Sequence, residues 1–163
     1  MAQPVFRRRF LTTLLIQQIQ DFKLKHRPEH TLSVLVADVD GCARFNAMHG
    51  RPAGDRMLQA VAGVISHQVR GHDFVFRYSG EEFLMILCDM QEGCTLNAAE
   101  RIRQQVQSLV IPLDGPAQAS VTLSIGAADY DGHPDALHLI ERARQALQSA
   151  QAEGGNRCVL APL

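Results

Sequence analysis

Two apolar runs separated by only four residues constrain the fold of this chain more than any other feature. FVFRY (74–78) and FLMILC (83–88) have the aromatic, β-branched and large apolar residues that favour strands. A connection this short joins antiparallel strands, so we predict a tight hairpin with SGEE at its tip. Glu81 and Glu82 place two like charges side by side there. Solvent, an arginine or a metal ion would have to offset their repulsion.

The remaining hydrophobic pattern predicts an α+β domain around this hairpin. LSVLVAD (32–38) is a nearly continuous apolar run that ends in an acid, as in a buried central strand. We predict helices over 5–25, after a cap at Asp55, over 96–110 and over 134–152, short helical potential within 40–55, and strands over 120–127 and 156–161. This is a ferredoxin-like βαββαβ core with an added N-terminal helix and a C-terminal hairpin or strand. We expect a single domain over 1–163, excised from a longer chain with an upstream regulatory domain.

Composition and charge exclude several classes of function. The formal net charge is −1, so the chain lacks the basic field of a DNA- or RNA-binding protein. No apolar run approaches the ~20 residues of a membrane-spanning helix, and we expect no direct membrane contact. The four cysteines form no CxxC pair and lie mostly in apolar stretches. They are therefore predicted to be free thiols in a reducing, cytoplasmic environment.

Four carboxylates are predicted to meet at one end of the sheet. In a βαββαβ core the first strand and the central hairpin lie side by side, and this brings together Asp38, Asp40, Glu81 and Glu82. Hard oxygen ligands on a rigid sheet suit Mg²⁺, which supports phosphoryl transfer when carboxylates hold it. A solvated acidic turn beside a loop Asp-x-Asp is the alternative, and the spacing alone leaves both interpretations open.

RYSGEEF (77–83) resembles the signature of the GGDEF domain, the catalytic domain of diguanylate cyclases. The similarity continues in order and spacing along nearly the whole chain, through LSVLVADVD, FNAMHGRPAGD, VRGHDFVFRYSGEEF, AAERIRQQV, VTLSIGAA and GGNR. The resemblance implies a fold like that of nucleotidyl cyclases and polymerase palm domains. It also implies an enzyme that joins two GTP molecules into cyclic di-GMP with Mg²⁺ or Mn²⁺, as a homodimer in which each protomer holds one GTP.

The same resemblance assigns roles at the acidic cluster. It implies that Asp38 and Glu81 bind the metal and act in catalysis. The main-chain carbonyl of Val39 matches a third metal ligand, and Glu82 matches a supporting catalytic acid.

Substrate contacts are implied in the same way. Asn46 and Asp55 match the pair that recognises guanine, because a carboxylate accepts two guanine N–H groups and an amide both donates and accepts. Without the resemblance, Asn46 is an ordinary turn residue and Asp55 a helix cap. At Gly80 the backbone is expected to come close to the nucleotide. The phosphates are expected to rest on main-chain N–H groups of Gly41, Cys42 and Ala43.

A second ligand site is implied by Arg70-Gly71-His72-Asp73, which matches the RxxD inhibitory site of the family. That site binds dimeric cyclic di-GMP. The guanidinium group of Arg70 can donate two parallel hydrogen bonds to guanine O6 and N7, and Asp73 can accept guanine N–H groups. Arg101 matches a secondary contact to the same ligand. The alternative is a surface Arg–Asp pair, which contributes little to stability.

Several positions depart from the family pattern. Ser79 replaces the first glycine of the signature, Ala43 and Gln151 replace lysines, and Gly155 replaces an arginine. A charge-assisted bond to phosphate is worth roughly 1.5–3 kcal/mol, so losing two weakens GTP binding or turnover by about a few hundredfold or more. Our primary hypothesis is a weakened diguanylate cyclase. The alternatives are an inactive domain that serves as a cyclic di-GMP receptor through RxxD, and a module that only dimerises.

Overall fold

A six-stranded sheet lies at the centre of the fold and carries helices on both faces. The structure, a computed structural model, describes residues 2–163. The strands are β1 (Val5–Arg7), β2 (His30–Val39), β3 (Phe74–Arg77), β4 (Glu82–Gln91), β5 (Ile111–Pro112), β6 (Gln118–Ala119), β7 (Leu123–Asp129) and β8 (Cys158–Leu160). The helices are α1 (Leu11–Lys25), α2 (Cys42–His49), α3 (Arg51–Gln68), α4 (Thr95–Gln107) and α5 (Ala136–Ala152). Across the described residues, no helix is both long and apolar enough to cross a membrane.

The sheet confirms the predicted ferredoxin-like core. Its strand order is β1-β3-β4-β2-β7-β8, and the four inner strands pair antiparallel throughout. With α3 before β3 and α4 before β7, these strands complete the βαββαβ pattern. β1 and β8 extend the two edges in parallel with β3 and β7, so the C-terminal addition is a single strand. β5 and β6, which we did not predict, form a separate small ribbon.

The central strand β2 is buried on both faces, which explains its nearly continuous apolar sequence. Leu35 and Ala37 pack into the core formed with α2, α3 and α4. Val34 and Val36 face the opposite core, formed with α1 and α5. All four side chains are fully buried. The apolar run therefore holds β2 in the middle of the sheet, and the acid at its end lies where the sheet meets solvent.

Helix α5 packs against β7 more closely than side chains would allow. Gly126 lies in β7 beneath α5, and a Cβ atom there would overlap the main chain at Ala143 and Leu147. The two elements are therefore in backbone contact, which requires glycine at this position. This contact anchors α5, whose last turn carries Gln151, on the sheet.

Three predictions about element ends are wrong. Residues 5–7, predicted as the start of a helix, form β1, because pairing with β3 outweighs their local helical pattern. Phe10, assigned to the apolar stripe of that helix, is 44% exposed, and α1 begins only at Leu11. Asp55 is not a helix cap, because α3 already begins at Arg51 with a proline in its first turn.

Candidate functional site

The hairpin between β3 and β4 carries its acidic tip to the end of β2. In the antiparallel register Asp38 pairs with Glu82. The N–H of Val39 donates to the main-chain oxygen of Glu81 at 3.3 Å. The sheet register thus places Asp38 beside both glutamates, as the predicted topology requires.

Asp38 lies in an unfavourable electrostatic environment. Burial, followed by the negative charges of Glu81 and Glu82, raises the pKa of Asp38 to about 6. The amide of Gln151 opposes this by donating from Nε2 to Oδ2 at 2.9 Å. The other oxygen, Oδ1, is buried and has no hydrogen-bond partner within the described part of the chain. A buried carboxylate oxygen without a donor, next to two further acids, is suited to a cation.

The donors around this oxygen fit a hard divalent cation. Asp38 and Glu81 offer carboxylate oxygens and Val39 offers a carbonyl, and oxygen ligands of this kind bind Mg²⁺ and Mn²⁺. Among residues 2–163, no three His, Cys, Asp or Glu side chains lie close enough to hold an ion by themselves. A cation here would therefore complete its shell with water and phosphate oxygens, as Mg²⁺ does in nucleotide sites.

Asp40 has a structural role, although we predicted it in the same acidic cluster as Asp38. Its carboxylate accepts hydrogen bonds from Thr122 Oγ1 at 2.7 Å, Ser124 Oγ at 2.6 Å and the N–H of Asn156 at 2.9 Å. These donors use both oxygens. Asp40 therefore links β2 to β7 and to the turn after α5, and is not free to bind a metal.

Glu82 is held by two side chains. Ser79 Oγ donates to Oε2 at 3.1 Å, and Nη1 of Arg144 on α5 lies 3.7 Å from Oε1. The serine at the start of the hairpin tip thus gains a hydrogen bond that glycine cannot make. Glu82 is consequently a fixed and partly neutralised carboxylate, paired across the sheet with Asp38.

Arg77 fixes the main chain of the hairpin tip. Its guanidinium donates to the carbonyl oxygens of Ser79 and Gly80, and its Cζ lies 5.0 Å from the centroid of the Phe83 ring. Around Gly80 the space is open, since a Cβ there would meet nothing within 4 Å. The protein itself therefore does not require glycine at this position, and the approach of a nucleotide to its backbone stays a prediction.

An open cleft of about 650 Å³ lies between the hairpin tip and the helices α2 and α3. It brings together five residues that we predicted to bind metal or substrate, namely Cys42, Asn46, Asp55, Gly80 and Glu81. The rest of its lining consists of Arg51, Leu58, Arg77 and Ser79. The cleft therefore joins the acidic hairpin to the predicted guanine-binding pair.

The N-terminus of α2 meets this cleft. Gly41 precedes the helix in a left-handed conformation with φ 69°, and Cys42 and Ala43 form its first turn. The three N–H groups predicted to hold phosphates thus lie where helical N–H groups have no partner within the helix. Burial raises the pKa of Cys42 to about 11, with nearby Glu81 adding to it, so this side chain stays a neutral thiol.

Asn46 and Asp55 line the cleft from two different helices. Oδ1 of Asn46 is buried and has no hydrogen-bond partner among the described residues. The amide lies against Gly54 of α3, where a Cβ would overlap it, so Gly54 makes room for Asn46. The recess of the cleft between α2 and α3 thus offers an amide and a carboxylate, which suit a ligand with N–H groups.

Arg70 and Arg101 line a second cleft of about 440 Å³, but Asp73 does not. Its Oδ2 accepts the N–H of Arg70 at 2.9 Å, and its Oδ1 accepts the N–H of Cys88 at 2.8 Å. Only 2% of the Asp73 side chain is exposed. The carboxylate that lines this cleft with the two arginines is Asp89. The structure thus brings together two of the three residues predicted for the inhibitory site.

The sequence did not predict the part that Arg51 and Gln151 play at the candidate site. Arg51 lines the cleft four residues before Asp55, so their i, i+4 spacing on one helix was a usable signal. Gln151 was noted only as a lost lysine, and its contact with Asp38 spans 113 residues of sequence. No local pattern indicates such a contact.

Comparison with known proteins shows which family has this sequence pattern. The family model described as "Diguanylate cyclase, GGDEF domain" matches residues 5–157. Diguanylate cyclase DosC of Escherichia coli (strain K12) is 39% identical over 153 residues, which are 94% of this chain and 33% of DosC. The chain therefore spans only a third of the length of that relative.

Solved structures share the fold along nearly the whole chain. The GGDEF domain of DgcB from Caulobacter crescentus, in complex with c-di-GMP, has a TM-score of 0.90 at 26% identity and covers 99% of this chain and 91% of that chain. The active GGEEF domain of a diguanylate cyclase from Vibrio cholerae has a TM-score of 0.87 at 25% identity and covers 98% and 99%. The mixed α+β fold of this chain is that of these domains.

Proposed function

This chain belongs to the GGDEF family of diguanylate cyclase domains, and from that premise we propose that it condenses two GTP molecules into cyclic di-GMP with Mg²⁺ or Mn²⁺. Its missing phosphate-binding lysines and arginine lower the rate. The observation that best supports this function is the unpartnered Oδ1 of Asp38, whose carboxylate is close to Glu81. Glu81 in turn lines a cleft together with Asn46 and Asp55. A cation site explains why the fold keeps an unsatisfied carboxylate oxygen at this place.

The reaction requires two clefts that face each other. Each 3′-hydroxyl oxygen bonds to the α-phosphorus of the other GTP, and two pyrophosphates leave. Asp38 and Glu81, with the carbonyl of Val39, would hold a divalent cation, which would supply charge neutralisation for the triphosphate and a lower pKa for the attacking hydroxyl. Glu82 keeps the hairpin tip in place through Ser79 and Arg144.

Guanine is selected by the recess between α2 and α3. Asp55 accepts two N–H groups of the base, while the amide of Asn46 donates and accepts along the same edge. Adenine presents the opposite donor pattern, so ATP leaves these groups unpaired at a cost of about 1–3 kcal/mol each. The N–H groups at the start of α2 meet the phosphates.

The cytoplasm is the proposed location of this activity. All four cysteines are free thiols. Paired cysteines are the usual sign of an oxidising compartment, and unpaired ones are typical of a reducing one.

The second candidate function is an inactive domain that binds cyclic di-GMP as a receptor. The cleft with Arg70 and Arg101 favours it, because two guanidinium forks suit the O6 and N7 atoms of guanine. The DgcB domain of similar fold was crystallised with c-di-GMP, which supports such a site. Asp73 would have to leave its internal hydrogen bonds before it could accept guanine N–H groups.

A cyclase assay separates the two functions. Nucleotide-stripped protein, fused to a constitutive dimerising helix, is incubated with GTP and Mg²⁺, and cyclic di-GMP is quantified. We expect product that disappears in Glu81→Gln and persists in the matched control Glu92→Gln, whose glutamate is exposed. If the wild type forms no product but binds cyclic di-GMP tightly, the enzyme hypothesis is wrong and the receptor hypothesis is supported.

A further inference from the structure

The segment around the end of α5 donates one hydrogen bond to each of the two aspartates at the end of β2. Nε2 of Gln151 donates to Oδ2 of Asp38, and the N–H of Asn156 donates to Oδ2 of Asp40, each at 2.9 Å. Asp40 has two further donors. The amide of Gln151 is the single hydrogen-bond donor to the Asp38 side chain within residues 2–163.

This single bond makes the two oxygens of Asp38 different. Oδ2 is occupied by the amide, whereas Oδ1 is buried without a donor. The carboxylate as a whole is repelled by the charges of Glu81 and Glu82. The terminal torsion of an aspartate is soft, so a free carboxylate would exchange its oxygens or turn away from like charges. Gln151 therefore decides which oxygen of Asp38 stays free of hydrogen bonds.

We propose that Gln151 is a positioning residue of the metal site: by holding Oδ2, it presents Oδ1 of Asp38 to a divalent cation as a single ligand oxygen. This inference rests on the proposed cation site. A neutral amide orients the carboxylate without placing a positive charge beside the cation.

The fold gives Gln151 a rigid base for this task. It lies in the last turn of α5, next to the fully buried Ala150. The same helix is in backbone contact with β7 at Gly126. The side chain of Gln151 reaches solvent, but its main chain is held by α5 in a fixed position relative to the sheet that carries Asp38.

The test measures metal affinity directly, without turnover. Nucleotide-free protein is titrated with Mn²⁺ at pH 7.5, and free Mn²⁺ is followed by electron paramagnetic resonance. Gln151→Met keeps the length of the side chain but removes the donor. We expect it to weaken Mn²⁺ binding by about tenfold, the usual effect of losing a partner of a metal ligand. Gln148→Met, an exposed position on the same helix, is the matched control and is expected to change nothing.

Two results would overturn the inference, and they differ in what else they affect. If Asp38→Asn abolishes Mn²⁺ binding while Gln151→Met leaves it unchanged, Gln151 does not position the ligand and the proposed function stands. If the wild type itself binds no Mn²⁺, the cation site fails and the role of Gln151 fails with it.

Discussion

Two residues of the candidate site, Asp38 and Asn46, combine burial with unmet hydrogen bonding. Oδ1 of Asp38 and Oδ1 of Asn46 are both buried without a donor among the described residues. Leaving a buried acceptor unpaired costs about 1–3 kcal/mol. Because both groups belong to one site, a ligand that brings a cation and N–H groups would satisfy them together. GTP with a divalent metal is such a ligand.

The raised pKa of Asp38 predicts that the stability of the folded protein depends on pH. Its pKa of about 6 lies above the ordinary 3.8, so the folded state binds more protons between these pH values and stability falls as pH rises through them. Asp38→Asn removes the charge. In EDTA at pH 7.5 we expect this variant to melt roughly 2–4 °C higher than the wild type, as for about 1 kcal/mol in a domain of this size.

Calorimetry at two pH values checks this expectation. At pH 4 the wild-type carboxyl is already protonated in the folded state, so Asp38→Asn is expected to give no gain. An equal gain at both pH values would show that packing, not charge, changes the stability.

Arg51 is expected to contribute to nucleotide binding. It lines the main cleft one helical turn from Asp55 and is a cation in a site that lacks the usual phosphate-binding residues. Removing a charged hydrogen-bond donor costs roughly 1.5–3 kcal/mol, so Arg51→Ala should weaken GTP binding by about 10- to 100-fold in calorimetric titration. Arg56→Ala is the matched control, since Arg56 lies on the same helix near Asp114, 3.7 Å away. Equal affinities of the two variants would contradict the assignment.

The sequence predicts which residues gather at the hairpin but not how each is used. Asp38, Glu81 and Glu82 are found where the predicted topology places them, because the apolar runs define the strands and the short connection defines the hairpin. Asp40 and Asp73 are instead taken up by internal hydrogen bonds to Ser124 and Cys88. Those partners lie on other strands, and only the assembled fold brings them together.

At the level of elements, the packing of α5 on β7 holds the site together. Their backbone contact at Gly126 leaves no room for a side chain. The periodicity of α5 predicts the helix well, but an apolar pattern does not reveal how closely a helix approaches a sheet. Gly126 is therefore visible as an important residue only in the structure.

Gly126→Ala is expected to destabilise the protein strongly. The added Cβ must push α5 from the sheet, and overpacking of this kind costs about 1–3 kcal/mol or more. Thermal unfolding should show a fall of roughly 4 °C or more. Gly63→Ala on α3 is the control, because a Cβ there meets nothing within 4 Å and alanine favours the helix by about 0.5–1 kcal/mol. A stable Gly126→Ala variant would mean that α5 and β7 are less closely packed than described.

For the whole molecule, the proposed catalytic site and the proposed inhibitory site lie in two separate clefts. One contains the acidic hairpin and the other contains Arg70 and Arg101. They share no lining residue. A ligand in the second cleft must therefore act through the fold or through a partner copy rather than by direct competition with GTP.

Arg70→Ala tests the second cleft in either proposed function. We expect cyclic di-GMP affinity to fall by about 10-fold or more, since a guanidinium fork to guanine is worth about 1–3 kcal/mol. In an active cyclase this variant accumulates more product than the wild type, because product inhibition is relieved. In a receptor it loses its ligand. An unchanged affinity for cyclic di-GMP would contradict the assignment of Arg70 to the inhibitory site.

The short strands at both edges of the sheet bear on how two copies meet. β1 and β8 have three residues each, too few main-chain groups to template a strand of another chain. Under the proposed function, copies that share two GTP molecules would therefore approach through their open clefts, without joining their sheets. Such an encounter would be reversible, so the turnover per molecule should rise with protein concentration. Any factor that raises the local concentration of this domain should therefore increase its rate of product formation.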